Sequence, residues 1–297
     1  MKMIVLVIAL LVVGMNGYSY AKPYLIDSKN NEISTIDGFS VEDKYPGGHG
    51  QSITSVDEGK GFIFTTDRNA LKINVIDSVA KAVVASGTLA STPDYIRFIN
   101  LTNEVWVTQP SRERIEIFNF SAKPKPTLSH SGFIHVPGGP ESLIVDHTRQ
   151  YAYTHLWEGK SIVIDLHTHA IIKQWPNGCS GSRGIALDEK YGFLFAGCTE
   201  GKAVVLDINK NGLQVSSLMI PLGVDVIGYN SYLMHLYVAS ANDGVLSVLN
   251  VSGRGNLSLL GTGKAAEGSH CTTGDNQGNI WVCDPERGQL LLYKDRF

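Results

Sequence analysis

The chain of 297 residues is 43% hydrophobic and 18% charged, a balance that belongs to a folded globular protein and excludes a disordered one. Its formal net charge is −3 and it carries no basic stripe, which excludes the electrostatic footprint of a nucleic-acid or anionic-membrane binder. Glycine, at 31 residues, suits a turn-rich all-β chain.

In chain order, the first element is a leader. Lys2 gives a basic start, an apolar run follows from Met3 to Val13, and Ser19 and Ala21 stand at −3 and −1 of a cleavage site. Eleven apolar residues are too few to span a bilayer, so the pattern predicts a secretory signal over residues 1–21. A single domain over residues 22–297 then follows, periplasmic or secreted, with no membrane span after cleavage.

From there the chain repeats. An apolar strand ending in Asp or Asn recurs as EISTID (to Asp37), INVID (Asp77), IEIFN (Asn119), SIVID (Asp165), AVVLD (Asp207), LSVLN (Asn250) and LLLYKD (Asp295), at spacings of 40 to 46 residues. A strand rich in aromatic and β-branched residues precedes each one, among them FIFTTD, VWVTQ, YAYTH, FLFAG, LYVAS and IWVCD. Before those lie inner strands ending at Asp57, Asn100, Asp146, Asp188, Asn230 and around Asp275, and outer strands follow the signatures. Short alternating strands at a period in the low forties predict a β-propeller with four-stranded antiparallel blades.

Seven second and seven third strands, but six inner and six outer ones, give seven blades. The first then lacks an inner strand in the mature chain, unless YSYA (18–21) supplies it, and the last lacks an outer strand. Six blades with an extra hairpin is the alternative. Trp106 and Trp281 fall at matching places in second strands, which assigns them to packing between blades. HTH (167–169) falls on the turn after a third strand and reads as a solvated loop.

The loops leading into the inner strands converge at one mouth of a propeller channel. Five or six residues before each inner-strand Asp or Asn stand Asp94, Glu141, Arg183, Asp225 and His270, with His49 slightly earlier in its loop. These six are the candidate ligand-binding set. Histidine and carboxylates suit a divalent metal or acid–base chemistry, and Arg183 suits a carboxylate or phosphate. The bland alternative is a merely hydrated, self-neutralising mouth.

Four cysteines in an exported chain fit two disulfides, and the count permits three pairings. Placement in the repeat favours pairs within blades, Cys179–Cys198 and Cys271–Cys283. The expected register sets Cys271 opposite Asp284, one residue off, and Arg183 beside Cys198. A metal site on His270 and Cys271 is the sharper alternative, although the chain has no CxxC or CxxCH. No haem or nucleotide motif is present in the sequence.

Strands such as LYVAS followed by a turn and a third strand like SIVID resemble the YVTN-repeat, YncE-like propeller family over residues 24 to 295. GGHGQS (47–52), TPDYIRF (92–98), GPESLIVD (139–146), CSGSRGIALD (179–188), GVDVIGY (223–229) and GSHCTTGD (268–275) look like one branch of it. The resemblance implies a seven-bladed ring, and its members host binding modules, electron-transfer subunits, lactonases and lyases. Two readings of function stay open. One is an exported module binding a protein or small molecule at the propeller face. The other is a lactonase-like hydrolase or lyase with a metal at the channel mouth.

Overall fold

The computed structural model describes residues 8–9, 23–27, 30–37, 40–48 and 52–297. They form seven antiparallel sheets in chain order, six of four strands and a last one of three. We number these blades one to seven. Within each, strands run from inner to outer, as in blade two: Ile53–Gly59, Phe62–Asp67, Lys72–Asp77 and Ala82–Thr88.

The repeat is also legible in the packing. Three residues before the end of every second strand stands an aromatic: Tyr24, Phe64, Trp106, Tyr153, Phe195, Tyr237 and Trp281. All seven are at most 3% exposed. Each fills the space between neighbouring blades, where a large ring removes the most apolar area from water. Each third strand of blades one to six also meets its outer strand through a register shift at the corresponding place. Such bulges strengthen the twist that a ring of blades needs.

Blade seven closes the ring on blade one. Cys271, Trp281 and Cys283 form one core cluster with Ile36, and Leu25, Leu290 and Leu292 pack against it. The inner strand of blade one is Ile8–Ala9, paired with Leu25 and Tyr24. This corrects the assignment of YSYA, which lies outside the described residues, as does nearly all of the leader. Ile8 and Ala9 lie in the apolar run that the sequence suggests as a leader, so cleavage after Ala21 would remove this strand.

Both disulfides fall within blades, Cys179–Cys198 in blade five and Cys271–Cys283 in blade seven. The expected register was wrong by one residue in each case. Thr272 pairs with Val282, so Cys271 lies directly across from Cys283, whose N–H donates to the Cys271 carbonyl at 3.0 Å. The turn in blade seven closes on Gly274 and Ile280 rather than on Asp275. In blade five a bulge after Ser182 makes Ser182, not Arg183, the partner of Cys198.

Candidate binding site at the channel mouth

The loops into the inner strands and the turns between second and third strands share one face of the ring. Asp94 and Glu141 are fixed alike in neighbouring blades. The Asp94 N–H donates to the Thr108 carbonyl at 3.0 Å, and the Glu141 N–H to the His155 carbonyl at 2.8 Å. Arg183 and Asp225 instead sit in bulges at the starts of their inner strands, between Ser182 and Gly184 and between Val224 and Ile227. A bulge frees a residue from the ladder and re-aims its side chain. Thr54 occupies the same kind of bulge in blade two, and its hydroxyl donates to the Asp94 carbonyl at 3.4 Å.

Three of the six candidates meet, and a fourth, Asp94, lies within their electrostatic field. Arg183 Nη1 donates to Asp225 Oδ2 at 3.3 Å, and Arg183 Nε lies 3.6 Å from Glu141 Oε1. The latter is an ion pair but too long for a hydrogen bond, and the buried Nε has no hydrogen-bond partner among the described residues. Asp94 shares their field. Burial pushes its carboxyl up to about 7, the Glu141 and Asp225 charges push the same way, and Arg68 and Arg183 oppose them. Burial likewise raises Glu141, with Asp225 adding to the rise and Arg183 opposing it.

Two candidates are not brought into this group. His270 Nδ1 faces the Gly268 carbonyl at 2.8 Å, and one ring nitrogen lies within 4.8 Å of the Cys271 and Cys283 sulfurs. Its backbone is close, since the Val226 N–H donates to the His270 carbonyl at 2.9 Å. His49 lies outside the described residues. His270, Cys271 and Cys283 offer donor atoms within 4.8 Å of one another, as do Cys179, Cys198 and Glu200. In each trio the sulfurs are joined in a disulfide, so they are not thiolate ligands. At the mouth, the Arg183 guanidinium already lies against Glu141 and Asp225, where a divalent cation would have to sit.

Three contributors escaped the sequence reading. Arg68 Nη2 reaches Asp94 Oδ1 at 3.2 Å and the Pro93 carbonyl at 3.4 Å. Trp157, 41% exposed, lies under the Arg183 guanidinium at 4.3 Å from the ring centre. Tyr95 stands deeper, its hydroxyl raised by burial and by the Asp225 and Asp94 charges, with the Arg97 guanidinium 5.2 Å from its ring centre. Arg68 and Trp157 directly follow second strands of blades two and four. The repeat that located the inner-strand loops also locates those turns, so both could have been read from it.

No protein-family model matches this chain, and no curated protein sequence matches it. Solved structures match its fold. A chain of Kuenenia stuttgartiensis hydrazine synthase superposes with a TM-score of 0.73 at 9% identity, over 93% of this chain and 92% of that one. The Swd1 β-propeller domain of Myceliophteria thermophila gives 0.70 at 11% identity, over 96% and 100%. A chain of the mitotic checkpoint complex gives 0.76 at 9% identity, over 93% and 84%. The chain is a seven-bladed β-propeller. At these identities the likeness concerns the fold alone, and function has to be argued from the site.

Proposed function

We propose that this protein is an exported, YncE-like β-propeller that binds a ligand or protein partner through its channel-mouth loops. The observation that carries this reading is the convergence of Glu141, Arg183 and Asp225 from three successive blades onto one ion-pair cluster, with Asp94 of the preceding blade paired to Arg68 within the same electrostatic field. These residues span more than a hundred positions in sequence, and a rigid ring brings them together without a flexible lid. Trp157 adds an exposed aromatic surface at the rim, the kind of anchor that binding surfaces favour. The leader pattern and the two disulfides support export. The phrases resembling the YncE-like branch support the family.

The test compares Arg183→Gln and Trp157→Ala with wild type in affinity capture from the oxidising compartment, using mature, oxidised protein. The reading requires that both variants keep the wild-type melting temperature within a few degrees and lose the captured partner or ligand. Undiminished capture by both would contradict it.

A further inference from the structure

Export through the leader removes the strand that completes blade one. Ile8–Ala9 holds the inner seat of that blade, paired with Leu25 and Tyr24. It lies beside the inner strands of blade two, Ile53–Gly59, and of blade seven, Thr272–Gly274. With the leader gone, Tyr24–Asp27 has an open inner edge between those two strands. An unpaired strand edge is a template for another strand.

The walls of the seat are apolar, with one polar exception. In blade two, Val56 belongs to one core cluster with Tyr24 and Ile26 of blade one, and Glu58 accepts from the Tyr24 hydroxyl. In blade seven, Trp281 packs with Ile36 and Leu25 of blade one. Thr273 pairs directly with Trp281, and residues opposite one another on antiparallel strands share a face. Thr273 therefore also points toward blade one. On its other side Gly228 of blade six comes so close that a Cβ there would lie 3.0 Å from the Thr273 Cα. Thr273 is fully buried, and its hydroxyl has no hydrogen-bond partner among the described residues. A buried hydroxyl without a partner is costly, so this wall carries an unmet demand that faces the seat.

Building on the reading of an exported binding module, we propose that the vacated seat is a strand-addition site. It takes one extended, aliphatic segment of a partner protein, which runs antiparallel to Tyr24–Asp27 and gives the Thr273 hydroxyl a main-chain partner. The leader shows what fits, since its seated strand belongs to an unbroken apolar run from Met3 to Val13. In strand addition the ladder of main-chain hydrogen bonds supplies affinity, and the walls select side chains.

The experiment uses the mature, oxidised protein and a peptide that copies residues 6–11 of the leader, flanked by lysines for solubility. Fluorescence anisotropy reads its affinity, and hydrogen exchange reads where it sits. The proposal predicts saturable binding with slowed exchange at Tyr24–Asp27. The same peptide carrying Ile8→Pro and Ala9→Pro should bind weaker by about ten-fold or more, because proline cannot donate to a ladder. Thr273→Val in the protein keeps the side-chain shape. It should weaken binding about three- to ten-fold, the scale of one hydrogen bond, while the free variant melts no lower than wild type. Where the mature protein needs the peptide to fold, folding with the first peptide and not with the second supports the proposal equally. Equal binding of both peptides would reduce the effect to apolar adhesion and overturn it, as would unchanged exchange at Tyr24–Asp27. Protein recovered from the oxidising compartment with residues 1–21 still attached would also overturn it, because the seat is then filled. The capture test at the mouth is independent. Capture lost with Arg183→Gln, alongside no peptide binding, would sink the strand-addition site and leave the mouth reading standing.

Discussion

The two faces of the ring treat most of their carboxylates differently. On the face away from the mouth Asp188, Asp295 and Glu104 are locked, whereas Asp57 keeps one oxygen without a partner among the described residues and is pushed up to about 7, chiefly by burial. Asp188 accepts from the Tyr229 hydroxyl at 2.6 Å across blades five and six. Asp295 accepts from the Tyr237 hydroxyl at 2.8 Å and meets His235 at 2.7 Å across blades six and seven. Glu104 accepts from Trp106 and Thr102 at 2.9 Å and meets His169 of blade four at 3.0 Å. At the mouth, among the described residues, Glu141 accepts no hydrogen bond and is held only by its ion pair with Arg183, Asp94 is pushed up to about 7 and Arg183 Nε has no hydrogen-bond partner. The first arrangement holds blades together. The second leaves local demands unmet, which a fold tolerates where a ligand meets them.

The largest effect that would break this contrast is on the locked face. Asp295→Ala removes an acid shared by Tyr237 and His235, and should cost about 3 kcal/mol in urea unfolding, the scale for breaking a buried charged pair. A loss under about 1 kcal/mol would mean that these contacts are not locks.

The Cys179–Cys198 disulfide comes next. It ties the loop before Arg183 to the second strand of its blade, the two cysteines standing 19 positions apart in sequence. Replacing both by Ser should cost about 3 kcal/mol and also weaken capture at the mouth. Lost stability with full capture would separate the staple from the site.

The mouth acids should behave in reverse. Asp94→Asn should stabilise the protein at pH 8 by about 1 kcal/mol, since it removes a charge that the fold penalises, and the gain should shrink as pH falls and vanish only below about pH 4. The sign follows from linkage. Asp94 and Asp57 both rise to about 7 from an ordinary 3.8, chiefly through burial. The folded state therefore holds protons that the unfolded chain has released, and stability falls as pH rises from about 4 to 7. His155, lowered to about 4 by burial, contributes the opposite slope between about 4 and 6.5. Between pH 6.5 and 8 only the acids act, so the wild-type melting temperature should drop over that interval. A flat or rising profile there would contradict the account. The smallest effect belongs to Arg68→Ala, whose exposed pair with Asp94 is worth less than about 1 kcal/mol to stability.

Much of this was written in the sequence. The strand repeat placed every blade, because each second strand carries one buried aromatic at one position and the repeated strands bounded by turn residues keep a fixed period. The cysteine pairs followed from the same placement. The site was half legible. Asp94, Glu141, Arg183 and Asp225 could be named because a ring converts equal phase in the repeat into proximity. The one-residue error beside Arg183 came from a bulge, which leaves no mark on strand composition. His270 shares the phase of Asp94 and Glu141, yet its ring is held by the Gly268 carbonyl two residues away. HTH (167–169) misled for a different reason. His167 does stay on the exposed turn, but His169 adopts a left-handed conformation (φ 60°) that turns its ring onto Glu104 of the neighbouring blade. That contact joins residues 65 apart and has no local signature.

The most direct measurement is a thermal-shift screen of charged small molecules against three proteins: wild type, Arg183→Gln at the mouth and Tyr229→Phe on the locked face. Compounds that stabilise the wild type should lose their shift with Arg183→Gln and keep it with Tyr229→Phe, although Tyr229→Phe starts from a lower melting temperature. Shifts that survive Arg183→Gln and disappear with Tyr229→Phe would place binding on the opposite face and contradict the account.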